Sequence, residues 1–415
     1  MATIIARGLT RPMDDSSEYR AAARNLAHGW TQLTYRTPGY PLLLWLTGSS
    51  TQETHLLFAV QLVMHGLAVA LAVDVARRLG LSTRGGAAVA LLLMVPPVAM
   101  QTWLSGSEVP AELLVTLSFW GCARWVGTHR CRDLLVAGTA AGTAVVVRPA
   151  LVLLWIPCLV MVVLERRASV DAEPRPGRAR TLACLLVPVV MLVGGLSVLN
   201  WVRFDSPGLT PLLPWHLSTR TSEYVELLPA SDEPARSYLI GLRDRAYTGS
   251  VDHATAEYLN QSDPAAFSKV TGLGRRQLDR YLLHLDLVLI VHHPFRYGQA
   301  VVASVGHIWE YNSQPGGFGT SGAVGWVANL AHDLLALLTA FVLVIVVGAR
   351  YRRSLDPRFA RIWFVGLGIV VSDVVVSVAV ESGSPRLLFP TYPVLAVLLV
   401  AGWSVARSER RAAVA

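Results

Sequence analysis

Apolar residues cluster along this chain into runs of roughly 20, the length that crosses the hydrocarbon core of a bilayer. Nine candidate spans stand out, over about 55–76, 85–104, 108–126, 133–147, 149–164, 181–200, 323–348, 361–380 and 387–406. The fourth and fifth are short and meet at Arg148-Pro149, so they read either as two short spans or as one kinked re-entrant pair. Residues 14–28 differ: Asp15, Tyr19, Ala22 and Leu26 recur at helical spacing, which predicts a short amphipathic helix. Residues 265–300 alternate apolar positions with Lys269, Arg275, Arg276 and Arg280, a pattern of interfacial helices that would cover a lipid or meet anionic head groups. The predicted fold is an all-α polytopic membrane protein with about nine transmembrane helices and outer loops that carry short interfacial helices. A further N-terminal span would be expected before residue 14, and residues 1–13 hold neither a span nor a secretory signal.

Composition agrees. The 415 residues are 53% hydrophobic and 15% charged, against roughly a quarter charged in soluble domains. A soluble enzyme, a nucleic-acid-binding module and a disordered chain are excluded on this ground. The formal charge of +8 then reads as topology, because Arg77, Arg78 and Arg84, Arg124, Arg130 and Arg132, Arg166 to Arg180, Arg350 to Arg361 and Arg407 to Arg411 fill alternate loops. Basic loops mark the cytoplasmic side. The remaining loops face outward, and two are long. Four segments follow: a first extracytoplasmic loop over 1–54, membrane helices over 55–200, a large outer loop over 201–322, and C-terminal membrane helices with a cytoplasmic tail over 323–415. Lys269 is the only lysine, a codon bias of high-GC genomes, which points to a bacterial plasma membrane. Cys122, Cys131, Cys158 and Cys184 have neither metal spacing nor a disulfide pattern.

The predicted outer face gathers the candidate chemistry. Asp15-Ser16-Ser17-Glu18 resembles a capping box, so Asp15 reads as a helix N-cap, as a functional carboxylate, or as both. Arg36 lies in Tyr35-Arg36-Thr37-Pro38-Gly39-Tyr40-Pro41, a stiff turn just before apolar surroundings. There a guanidinium suits bidentate phosphate binding or merely snorkels to the interface. Glu108 opens the third span, either as an acid favoured by the helix dipole or as a group that orients an acceptor or an arginine. Asp74, Asp333 and Asp373 lie in or near spans and read as polar contacts between helices. His292-His293 and Asp14-Asp15 lack the spacing of metal ligands, so no cofactor is expected and a divalent metal has no support in the sequence. Trp201, Trp215, Trp309 and Trp326 flank the large outer loop as interface anchors or sugar-stacking rings.

Several of these segments resemble one family in order. Asp15, Ser16, Tyr19, Ala23, Arg24, Asn25, Leu26 and Gly29, then Arg36, Pro38, Gly39, Tyr40 and Pro41, are similar to the first outer loop of membrane glycosyltransferases of the C-type fold. The nearest branch is that of the dolichyl-phosphate-mannose protein mannosyltransferases and lipid A aminoarabinose transferases. Ser107-Glu108, Val147-Arg148-Pro149, His293-Pro294 with Phe295-Arg296-Tyr297, and Arg386 to Pro393 agree with later family segments. Departures are the absent first span, Thr37 where a second proline is common, and Arg-Leu-Leu-Phe-Pro in place of Arg-Tyr in the last motif.

The resemblance implies transfer of a sugar from a polyprenyl-phosphate carrier to an acceptor outside the membrane, with inversion at the anomeric carbon. Such a reaction needs a base for the attacking hydroxyl and cations at the departing phosphate. Asp15 is the implied base, with Asp14 as the alternative. Arg36 is the first phosphate ligand, with Arg148, Arg296 and Arg386 beside it. Tyr19, Tyr40, Glu108 and His293 are the candidate donor or acceptor contacts. Membrane lipids are the expected partners, together with an acceptor that is a protein, lipid, glycan or natural product. A transporter or lipid flippase, or a non-catalytic family member, is the competing reading. The notable acids and arginines sit at the outer face rather than at mid-membrane, which favours transfer.

Overall fold

The computed structural model describes residues 10–13, 15–165, 177–246, 264–307, 356–380 and 385–414. They fall into two compact units. The first holds the described residues of Met1–Leu209, Gly316–Asp373 and Leu388–Ala415, and the second those of Thr210–Pro315 and Val374–Leu387.

In the first unit, β1 (Arg11–Pro12) leads into the amphipathic α1 (Ser16–Ala27) and the short α2 (Gly39–Leu46). Next come α3 (His55–Arg78) and α4 (Thr83–Leu93), the two-residue β2 (Leu104–Ser105), and then α5 (Glu108–Thr128), α6 (Cys131–Val147), α7 (Trp155–Glu165) and α8 (Arg178–Phe204). Four described helices are long and apolar enough to cross a membrane: His55–Arg78, Arg178–Phe204, Pro357–Ala379 and Leu388–Arg407. They match the first, sixth, eighth and ninth expected spans. The third and fourth expected spans are helices of 21 and 17 residues, and the fifth is a shorter apolar helix, Pro149–Leu164. Residues 323–348 lie outside the described residues.

The expected span over 85–104 is not one helix. It stops at Leu93, and Pro96-Pro97 start a four-residue turn and a short 3₁₀ segment before β2. Adjacent prolines remove two helix donors, and the chain re-forms as extended backbone. β2 pairs in parallel with β1, Arg11 opposite Leu104 and Pro12 opposite Ser105, so the fold is not strictly all-α. This small ladder ties the start of α1 to the residues that precede α5.

Helix contacts in this unit are close because the facing residues are small. A Cβ at Gly138 of α6 would lie 2.1 Å from the Leu185 carbonyl of α8, and one at Gly142 would lie 3.1 Å from the Val189 Cα one turn on. Helix ends also meet by side. Thr37 reaches the Val147 carbonyl, and Arg148 meets Glu108, at ends predicted to face outward. At ends predicted to face inward, Trp120 donates to Asp74 and Arg124 pairs with Asp133. Asp74 and Asp373 make the interhelical polar contacts expected of them, the latter accepting from Thr391.

The second unit contains α9 (Leu213–Thr221), α10 (Ala235–Ala246), α11 (Pro264–Thr271), α12 (Arg275–His292) and α13 (Pro294–His307). The large outer loop is therefore more than a set of interfacial helices. Trp215, Tyr224, Leu239, Phe267, Leu278, Leu282, Leu285 and Leu289 form a core of its own. Trp215 is buried there and its indole donates to Asp279, so it anchors packing rather than a sugar. Trp201, on α8, stays exposed, while Trp309 and Trp326 fall outside the described residues. After the second unit, α14 (Pro357–Ala379) and α15 (Tyr392–Val414) complete the described helices.

Asp286 lies within the second core, where Ser218 and Thr221 donate to it at 2.9 and 2.6 Å. Burial pushes its carboxyl up to about 8. The folded chain thus keeps this proton over a range in which the unfolded chain, titrating near 4, has lost it. This contribution to stability is complete below about pH 4 and is lost as pH rises towards 8. Hydrogen exchange of 213–246 and 264–292 is expected to be slower at pH 5 than at pH 8 after correction for intrinsic rates, and Asp286→Asn is expected to flatten the difference. An unchanged slope in that variant would assign the pH dependence elsewhere.

Candidate active site

The start of α1 sets the first half of the site. Asp15 occupies the N-cap position but makes no side-chain cap hydrogen bond. The neighbouring Ser16 hydroxyl does the local work instead. It accepts the Met13 N–H at 2.7 Å and donates to the Ser105 carbonyl of β2 at 2.8 Å. The Asp15 carboxylate turns to Arg36, whose Nη2 lies 2.8 Å from its Oδ1. Arg36 Nε donates to Glu18 Oε2, also at 2.8 Å, and the guanidinium stacks 4.9 Å from the centre of the Tyr19 ring. Asp15 and Arg36 keep 21% and 18% of their side-chain surface open, so a ligand can reach both.

The turn that carries Arg36 is held from below. Thr37 donates to the Val147 carbonyl at 3.4 Å. A Cβ on Gly39 would sit 2.8 Å from the Val146 carbonyl, so glycine is what allows α2 to start against the end of α6. That contact brings Arg36 and Arg148 onto adjoining segments.

Behind this rim lies a buried layer. Tyr19 donates to Ser107 Oγ at 3.0 Å and meets Tyr40 edge-on at 4.9 Å between ring centres. Burial raises the Tyr19 phenol above its ordinary range, so it serves as a neutral donor and wall rather than as a base. Tyr40 is fully buried and donates to Gln61 Oε1 at 3.3 Å. Next to Ser107, Glu108 accepts from Arg148 Nη1 at 3.0 Å, and both side chains are more than nine-tenths buried. The site is thus two acid–arginine pairs, one open and one buried, linked through Tyr19 and Ser107.

Asp14 lies outside the described residues. Arg296 is exposed on α13 of the second unit. His293 ends α12, its carbonyl accepting the Tyr297 N–H. Arg386 sits in the 3₁₀ turn Pro385–Thr391, and its side chain is not among those described. Glu18, Gln61 and Ser105 are site residues that sequence reasoning missed. Gln61 had a signal: with His65 it forms a polar i, i+4 pair inside an apolar span. Among the described residues no three His, Cys, Asp or Glu side chains gather as metal ligands.

Residues 36–193 match the dolichyl-phosphate-mannose-protein mannosyltransferase family. The matched segment contains Arg36, Tyr40, Glu108 and Arg148, and begins after Asp15 and Tyr19. A comparison with curated proteins returns no match. Two solved structures are similar: the archaeal oligosaccharyltransferase AglB from Archaeoglobus fulgidus in complex with an inhibitory peptide and a dolichol-phosphate, and the A. fulgidus oligosaccharyltransferase in its apo form. Each shares 14% identity at a TM-score of 0.45 over 96% of this chain and 47% of the other. The chain therefore spans about half the length of these proteins. The mannosyltransferase-family match over 36–193 and the four apolar helices support a multi-pass membrane protein.

Proposed function

We propose that the protein transfers a sugar from a polyprenyl-phosphate donor to an acceptor on the extracytoplasmic side of a bacterial plasma membrane, with inversion and with Asp15 as the base. The observation that carries this reading is the contact of Asp15 with Arg36 on an accessible rim. A carboxylate can accept the proton of an attacking hydroxyl, and a guanidinium can neutralise the charge that grows on the departing phosphate. The polyprenyl phosphate leaves without a strong acid because it is already a stable anion. Donor and carboxylates compete for Arg36: a phosphate that engages the guanidinium loosens its hold on Asp15 and Glu18. The base is thereby released when the donor is in place. Tyr19 forms the wall behind Arg36, and Glu108 with Arg148 holds that wall from within. The family match over 36–193 supports the reaction class.

The test is transfer in membranes with radiolabelled polyprenyl-phosphate sugars. Wild type is expected to release label from at least one carrier. Arg36→Ala is expected to lower kcat/KM by roughly 10- to 100-fold, the loss of one charge-assisted hydrogen-bonding group. A folded wild-type chain that releases label from no carrier would overturn the reading.

A further inference from the structure

The reaction as proposed uses Asp15, Arg36 and their supports, yet a second polar group lies deeper in the first unit. His65, on α3, and Glu112, on α5, are 2% and 0% exposed. The His65 Nδ1–H donates to both carboxylate oxygens of Glu112, at 2.9 and 3.1 Å. An acid and an imidazole withdrawn from water between apolar helices cost free energy that two aliphatic side chains would not.

The neighbours of this pair show what it fastens. Gln61 stands one turn before His65 on α3, and its amide donates to the carbonyls of Thr102 and Leu104 at 2.8 and 2.9 Å. Glu108 stands one turn before Glu112 on α5. Two successive turns of α3 therefore grip the chain on both sides of Ser105, Gly106, Ser107 and Glu108. Those residues receive Ser16, Tyr19 and Arg148. Their regular backbone bonding is brief: Ser105 pairs with Pro12 in the two-residue ladder, and the Ser107 carbonyl accepts the Ala111 N–H as α5 begins. Side-chain anchors therefore add to what holds this link, and a shift there would reach Tyr19 and the guanidinium stacked on it.

We propose that His65 and Glu112 are positioning residues for glycosyl transfer: with Gln61 they form a buried clasp that fixes segment 102–108 under the Asp15–Arg36 rim. The proposal rests on the function proposed above. The clasp itself is a structural claim that can be read without activity.

The atom used predicts which substitutions are tolerated. Asn places an amide donor near the position of imidazole Nδ1, whereas Leu fills a similar volume without a donor. His65→Leu is expected to lower kcat about tenfold or more with donor KM changed less than about threefold, because misplacing a reacting group acts on the transition state. His65→Asn is expected to recover most of that loss, and Glu112→Leu to reproduce it. In parallel, hydrogen exchange over 101–108 is expected to speed up in His65→Leu and Glu112→Leu and to stay near wild type in His65→Asn, with exchange in α8 unchanged. A wild-type kcat in His65→Leu, equal losses in the Leu and Asn variants, or exchange in 101–108 indifferent to all three substitutions would overturn the clasp. If the wild type transfers no sugar while the exchange pattern holds, the clasp stands and the function assigned to the site fails.

Discussion

Asp15→Asn is expected to lower kcat by about 10²- to 10⁴-fold, the range that a positioned general base contributes, with little change in stability. Asparagine keeps the shape of the side chain and can still face Arg36, but it cannot accept the acceptor's proton. Stability is spared because Asp15 makes no side-chain cap bond to α1, the role whose loss costs about 1 kcal/mol in other helices. The Arg36–Asp15 attraction lost in the variant also sharpens the test. If donor phosphate and Asp15 compete for one guanidinium, the variant should bind donor at least as tightly as wild type while turning over far more slowly. Initial rates against donor concentration separate the two constants. Loss of transfer only in Asp14→Asn would keep the reaction class and move the base by one residue. Full activity in both variants would remove the base from this loop altogether.

Much of the architecture could be read in the sequence because the membrane imposes a coarse rule. Runs of apolar residues must become helices, and His55–Arg78, Arg178–Phe204, Pro357–Ala379 and Leu388–Arg407 follow it. The rule failed where apolar composition and backbone chemistry part company. Residues 85–104 are apolar throughout most of their length, but Pro96-Pro97 break the helix and leave the strand that orders the site. In 201–322 the pattern is ambiguous, because the spacing of Leu278, Leu282, Leu285 and Leu289 is that of a helix facing a protein core as much as a lipid surface. Periodicity does not distinguish the two environments.

The site shows a similar division. Asp15, Tyr19, Arg36, Tyr40, Glu108 and Arg148 were legible because their residue types and order match a known pattern. What that order could not convey is which acid meets which arginine. The Asp15–Arg36 and Glu108–Arg148 pairs are separated by 21 and 40 positions, and the packing of α2 on the end of α6 through Gly39, together with the β1–β2 ladder at the start of α1, brings them together. The capping-box pattern at Asp15 to Glu18 was a local alternative that the fold did not use: Ser16 ties down the helix start, and both acids turn to Arg36 instead.

Arg148 carries the second large expectation, which concerns stability. Its guanidinium and the Glu108 carboxylate are each more than nine-tenths buried. Arg148→Met removes the cation that compensates a buried carboxylate, a change that costs about 3–5 kcal/mol in comparable buried pairs. The double variant Glu108→Leu, Arg148→Met removes both charges and should regain much of that loss, since a well-packed apolar pair often equals a buried ion pair in stability. Thermal unfolding in detergent is expected to rank wild type and the double variant close together and Arg148→Met well below both. The double variant then assigns the role of Arg148 in the reaction. A side chain buried against Glu108 should support the wall behind Arg36 without touching the donor, so transfer in the double variant should fall by no more than about tenfold, one unit of 1.4 kcal/mol in the barrier. If stability returns while transfer stays more than about a hundredfold down, Arg148 meets the phosphate directly. The buried pair would then have to open during the reaction.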